Sequence, residues 1–229
     1  MSSFFRRIFS ARSDPGIRLV VFDFDGTLAD THELLMRIVS KHLGKFNISL
    51  TKQLILQFGN APLRDYISIV GLRKDFIRSV SSSIIEDFMA EYHRIKPCKA
   101  LATVKSISVK KIIVSNNVTP FIEKTLHFLH ANFFDEVYGS DRFTNKFHAI
   151  KKLCQKYHVS SEEVVYVGDK SIDVAIARRV GCYSIIVAGP SAWSPRSAIL
   201  AMRPDYVVRD LSKIPAIIKS INTAQFSSV

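Results

Sequence analysis

Three aspartates, Asp23, Asp25 and Asp30, fall within eight positions of "LVVFDFDGTLADTHE", directly after an apolar run that should be buried. Crowded carboxylates repel one another, and burying them is costly without a cation or hydrogen bonds. Asp23 and Asp25 are two residues apart, so an extended backbone sends both side chains to the same side, roughly 6–7 Å from each other. At that separation they can address opposite ends of one reacting group. Gly26 lets the chain turn sharply, and Thr27 offers a hydroxyl that can orient a neighbouring carboxylate.

Later stretches carry complementary groups. "IIVSNN" ends in Ser115, whose hydroxyl and nearby backbone N–H groups can hold an anionic oxygen. "FTNKFH" supplies Lys146, a point positive charge suited to phosphate. "VYVGDKSID" supplies Asp169 and, one helical turn later, Asp173. Hard oxygen ligands beside a phosphate suit Mg2+ better than zinc, because the seven histidines and three cysteines form no ligand cluster. Each residue has a plain structural alternative: a polar strand end for Asp23 and Asp25, a turn hydroxyl for Ser115, a helix N-cap for Asp169, solvated surface for Lys146 and Asp173. Their recurrence at successive strand ends favours a shared site, since ligands of parallel α/β sheets gather beyond the carboxyl ends of the strands.

The elements that must position these groups follow from hydrophobic patterning. "IRLVVFDF", "KKIIVSNN", "FFDEVYGSD", "EEVVYVGDK" and "CYSIIVAGP" are nearly continuous apolar runs, as strands covered on both faces require. Helical patterns fall between them: "VTPFIEKTLHFLHAN", "KFHAIKKLCQKYH" and "SIDVAIARRVG", the last closed by Gly181. Phe121, Phe128 and Leu129 share helical spacing and are expected in the core. "DYVVRD" adds a later strand before the helix-like "LSKIPAIIKSIN". The alternation predicts an α/β fold, a doubly wound Rossmann-like core with a mainly parallel sheet. From about Asp30 to Lys96 it stops, and "ELLMRIVSKHL" and "DFIRSVSSSIIEDFMAEYHRI" read as amphipathic helices. The expected organisation is an N-terminal basic segment (1–16), a catalytic core (17–29 and 97–229) and an inserted helical cap (30–96).

With 47% hydrophobic and 23% charged residues, the chain can bury a sizeable core. Cys98, Cys154 and Cys182 leave one unpaired in any disulfide scheme, so a reducing, cytoplasmic compartment is expected. The net charge of +12 fits an anionic substrate, nucleic acid or an acidic membrane surface. Its lysines and arginines are scattered without a long basic block, so no nucleic-acid partner is expected. The opening "MSSFFRRIFSARSDPG" is too short in its apolar run to span a membrane. A loosely packed terminus is expected there, with a short surface contact or a transit-like peptide as alternatives. Trp193 is read as a packing anchor, and oligomeric state is not legible.

In the order "DFDGT", "VSNN", a spaced lysine and "GDKSID", the sequence resembles the haloacid dehalogenase-like hydrolases, especially their phosphoglycolate phosphatase-like branch, over about Ile17 to Asp210. The resemblance implies a Mg2+-dependent phosphatase acting on a small phosphorylated metabolite. Asp23 would be the nucleophile that forms an aspartyl-phosphate, and Asp25 the general acid and base. Asp23, the backbone carbonyl of Asp25, and Asp169 would hold the metal. Ser115, Asn116 and Lys146 would bind the phosphoryl group, Asp173 would support Lys146 or metal-bound waters, and Arg64 in "FGNAPLRDYI" would meet an acidic leaving group. The chain departs from the family pattern in having Phe147 where many relatives have proline, and in "KPCKALATVKSISVKK" at the return to the core. A phosphosugar mutase of the same superfamily and a non-catalytic phosphate-binding module are the alternatives.

Overall fold

Near-continuous runs of valine, isoleucine and leucine form strands here because helices cover both faces of the sheet. The computed structural model describes residues 16–51, 54–55 and 67–226. Arg64 and the basic segment up to residue 15 lie outside the described residues.

The central strand β1 (Leu19–Phe22) is buried throughout. After a two-residue strand β2 (Ala29–Asp30), helix α1 (His32–Gly44), helix α2 (Lys74–Ala90) and a second short strand β3 (Lys96–Pro97), the chain continues through β4 (Lys110–Val114), α3 (Thr119–Phe128), β5 (Glu136–Tyr138), α4 (Lys146–Lys156), β6 (Val164–Gly168), α5 (Ser171–Val180), β7 (Tyr183–Val187), α6 (Arg196–Ala201), β8 (Tyr206–Val208) and α7 (Ile214–Phe226). Six strands form one sheet in the order β5-β4-β1-β6-β7-β8, all pairs parallel.

The period-two alternation of β1 divides the core. Val20 and Phe22 pack with Phe121 and Ile122 of α3 and with Ile214 and Ile218 of α7. Leu19 and Val21 face the other way, onto Ile150 and Leu153 of α4 and Ala177 of α5. The sheet is therefore wound on both sides, as the apolar runs predict. Phe128 departs from expectation: it is 41% exposed. It sits at the last position of α3 and meets the Tyr92 ring edge-on, whereas Phe121 is fully buried.

Register brings the candidate residues together. Phe22 pairs with Ile113 on one side and Val167 on the other, so Asp23, Ser115 and Asp169 all emerge just past the same edge of the sheet. The Asp23 N–H donates to the Val167 carbonyl at 2.8 Å, extending the ladder to that edge.

The segment between β2 and β3 leaves this alternation. Asp30 pairs with Lys96 antiparallel, so the chain leaves and re-enters at one place. Leu34, Ile38 and Leu43 of α1 and Val80, Ile84 and Phe88 of α2 form the buried stripes of two packed helices. His42 Nε2 and Lys41 Nζ both lie 2.9 Å from Asp87 Oδ2, tying α1 to α2. The Phe88 ring stacks at 4.5 Å on Phe121, linking the helical pair to the core.

Candidate active site

Asp23 is 1% exposed. Its Oδ1 accepts the Phe24 N–H at 2.7 Å, and its Oδ2 lies 2.7 Å from Lys146 Nζ and 3.1 Å from Lys170 Nζ. Burial alone would raise this carboxyl, but the charges of Lys146 and Lys170 and the hydrogen bonds overcome it, bringing the group down to about 2. Asp23 is therefore an ionised carboxylate in a nearly water-free setting.

Asp25 behaves in the opposite sense. Burial raises its carboxyl, Lys170 opposes the rise and Asp23 adds to it, with a net upward shift. Both carboxylate oxygens of Asp25 accept from Asn117 Nδ2 at 3.1 Å, and the Ser115 hydroxyl donates to Oδ2 at 3.3 Å. Two carboxylates two residues apart thus hold protons with different strengths, the condition for one to act as a nucleophile and the other as an acid.

Gly26 has φ of 77°, and a Cβ there would stand 2.3 Å from Asp169 Oδ2 and 2.4 Å from Trp193 Cδ1. Glycine at this turn lets Asp169 approach. Thr27 then donates to Asp169 Oδ1 at 3.0 Å, and the Trp193 N–H donates to Oδ2 at 2.7 Å. Trp193 is buried and meets the His32 ring edge-on at 4.6 Å, in keeping with its expected packing role.

Asp173 lies in the first turn of α5 and caps its start. Its Oδ2 accepts the N–H groups of Asp169 and Lys170 at 3.1 and 2.9 Å, and its Oδ1 accepts the Tyr166 hydroxyl at 3.0 Å. The Tyr166 oxygen in turn accepts from Lys146 Nζ at 3.2 Å. Gly168 makes room for this arrangement, since a Cβ there would lie 2.3 Å from Asp173 Oδ2. Lys146 opens α4, where the Asn145 side chain accepts the Phe147 N–H at 2.9 Å. An asparagine cap therefore starts this helix.

Carboxylate oxygens of Asp23, Asp169 and Asp173 lie within 4.8 Å of one another, a hard-oxygen set that fits a divalent cation. Every oxygen of the three carboxylates already accepts a protein donor: those of Asp23 from Phe24, Lys146 and Lys170, those of Asp169 from Thr27 and Trp193, and those of Asp173 from Tyr166 and the N–H groups of Asp169 and Lys170. Burial raises the Asp169 carboxyl; Lys170 opposes this, Asp173 and Asp23 reinforce it, and the group reaches about 8. A cation beside it would favour its ionised form.

A family model described as haloacid dehalogenase-like hydrolase matches residues 20–187. The chain belongs to the haloacid dehalogenase-like hydrolases. It is 24% identical to pyrophosphatase PpaX from Oceanobacillus iheyensis, across 88% of this chain and 97% of that one. It is 25% identical to phosphoglycolate phosphatase from Vibrio parahaemolyticus, across 86% and 94% respectively. A solved haloacid dehalogenase-like family protein from Streptococcus pneumoniae superposes with a TM-score of 0.74 at 21% identity, covering 89% of this chain and 97% of that one.

In this haloacid dehalogenase-like hydrolase, Asp23, Asp25, Thr27, Ser115, Lys146, Asp169 and Asp173 come together as one network. Asn116 lines a groove of about 330 Å3 between α4 and α5, with Asn145, Lys170 and Arg179. Sequence reasoning missed Asn117, Tyr166 and Lys170. Asn117 is the next residue in "SNN" and turns its amide onto Asp25. Tyr166 is a polar tip in an apolar strand, a signal that a buried hydroxyl needs partners. Lys170 stands inside "GDKSID" beside Asp169, and its position between two aspartates was the available clue.

Proposed function

We propose that this hydrolase is a Mg2+-dependent phosphatase that cleaves a small phosphate monoester through an aspartyl-phosphate on Asp23. The observation that carries the reading is geometric: Asp23 is buried against the ammonium groups of Lys146 and Lys170, and two residues on, Asp25 is held separately by Ser115 and Asn117. An Asp23 oxygen attacks phosphorus as the ester P–O bond breaks, and Asp25 gives its proton to the departing alkoxide. Asp25, now ionised, takes a proton from water, whose oxygen attacks the phosphorus and releases Asp23 and inorganic phosphate. Lys146, with Ser115 and Asn116, binds the phosphoryl oxygens, and Asp173 and Tyr166 hold Lys146 in position. Bound Mg2+ supplies positive charge against the phosphoryl oxygens and the clustered carboxylates; Asp23, the Asp25 backbone carbonyl and Asp169 would hold it.

In the same proposal, residues 30–96 are a cap that covers the core site (17–29 and 97–229) and selects the leaving group. Arg64, outside the described residues, is the proposed contact for an acidic leaving group. Phosphoglycolate is the first substrate to test, with pyrophosphate beside it because a relative carries that name. The three cysteines are free and buried, which supports a cytoplasmic location. Among the described residues no helix is long and apolar enough to cross a membrane. A small phosphorylated metabolite is the proposed partner, not nucleic acid.

A panel of phosphomonoesters plus pyrophosphate, assayed for free phosphate with Mg2+ and with EDTA, tests this reading. Wild type is expected to release phosphate from at least one monoester only with Mg2+, and Asp23→Asn to lose that release. Turnover that persists in Asp23→Asn would overturn it.

A further inference from the structure

We propose that Lys170 is a built-in competing cation, whose ammonium occupies the carboxylate cluster until a divalent ion displaces it and so weakens the binding of that ion. The inference rests on the Mg2+-dependent reading above and concerns how the same site is loaded.

Lys170 is 3% exposed, and its Nζ lies 3.1 Å from Asp23 Oδ2, the same oxygen that Lys146 contacts at 2.7 Å. Asp23, Asp169, Asp173 and Asp25 all attract it. The two lysines are held differently. Lys146 is backed by the Tyr166 hydroxyl at 3.2 Å and by Asp173 Oδ1 at 3.9 Å. For the Lys170 ammonium, Asp23 is the hydrogen-bond partner described, with the Trp193 ring 5.8 Å away.

A divalent cation on Asp23 and Asp169 would come within a few ångströms of that ammonium. Lys146 and Lys170 already share one Asp23 oxygen, and a further positive charge on that carboxylate in a buried site disfavours the less firmly held ammonium, that of Lys170. Lys170 has somewhere to go. It also lines the groove of about 330 Å3 between α4 and α5, beside Asn116, Thr144 and Asn145, whose oxygens can accept hydrogen bonds. A phosphoryl group bound near Lys146 would attract it further. Metal and phosphate are then expected to favour each other's binding, because each removes a reason for Lys170 to stay on Asp23. Without metal, the ammonium supplies the neutralising charge that the crowded carboxylates require.

Calorimetric titration of the full-length protein with Mg2+ alone tests the competition. Lys170→Gln and Lys170→Met are expected to bind Mg2+ about tenfold more tightly than wild type, a change of about 1.4 kcal/mol. Both variants should melt below wild type in EDTA and regain the difference with saturating Mg2+. Inorganic phosphate should tighten Mg2+ binding more in wild type than in either variant. A lysine that only fills space would lower melting in both conditions and leave Mg2+ affinity unchanged, and that result overturns the proposal. Affinity weaker in both variants also overturns it, by making Lys170 a helper of the metal. Absence of Mg2+ binding by wild type and variants alike would overturn the metal reading itself, which separates the two failures. Wild type provides a check that needs no variant: amine labelling followed by peptide mapping should find Lys170 more reactive with Mg2+ than with EDTA. Unchanged labelling counts against displacement.

Discussion

Asp25 can donate a proton only if its carboxyl holds one when the leaving group departs, and burial with the neighbouring Asp23 charge favours that state. Its contribution should scale with how badly the leaving group needs the proton. Asp25→Ala is therefore expected to lose about a hundredfold or more in kcat on alkyl phosphates, and much less on an aryl phosphate whose phenolate departs unaided. Equal losses on both, measured by steady-state phosphate release, would remove the acid role. Asp23, Asp25, Thr27, Ser115 and Asp169 were legible because their types are unusual at the ends of apolar runs, and Lys146 because a lysine opens the helical pattern between two of those runs. Tyr166 and Asn117 were not, because their importance lies in what they touch. Tyr166 bridges Lys146 at the start of α4 to Asp173 in the first turn of α5, and nothing in "EEVVYVGDK" shows that bridge.

At the scale of elements, the turn after β1 is the place where sequence and geometry agree most closely. Gly26 combines a φ of 77° with a site where any Cβ meets Asp169 and Trp193 below 2.5 Å. Gly26→Ala should therefore cost about 1–3 kcal/mol in urea unfolding, through backbone strain and overpacking together. It should also displace Asp169 and reduce turnover, whereas a variant with wild-type stability and activity would show that the turn tolerates a side chain. The strands were legible because both faces are covered, which writes a nearly unbroken apolar run. The short pair β2 and β3 was not, since two residues each carry no period and Asp30 and Lys96 are polar. Phe128 shows the limit of periodicity: it has helical spacing with Phe121, yet it falls where α3 ends and the core no longer covers it.

For the whole molecule, clustering carboxylates beyond one sheet edge links stability to pH. The Asp169 carboxyl is raised by burial from its ordinary 3.8 to about 8, with Lys170 opposing and Asp173 and Asp23 reinforcing the rise. The folded state thus keeps this proton longer than the unfolded chain. Its contribution is fully present below about pH 4 and is lost as pH rises through about 8. In EDTA, the melting temperature of wild type relative to Asp169→Asn should fall across that interval, and Mg2+ should flatten the trend. A difference independent of pH would contradict this account of the site's electrostatics. The doubly wound α/β architecture was legible from alternating runs and helices. The order β5-β4-β1-β6-β7-β8 was not written in any one segment, although it is what sets Asp23 between Ser115 and Asp169.

The central claim is a phosphoryl group carried on Asp23, and trapping it is the most direct test. Turnover with an active phosphomonoester and Mg2+ would be quenched in acid, the acyl phosphate reduced with borohydride, and the peptides mapped. The account predicts reduction at Asp23 alone, absent when substrate is omitted. Reduction at another carboxylate, or sustained turnover with none, would contradict it.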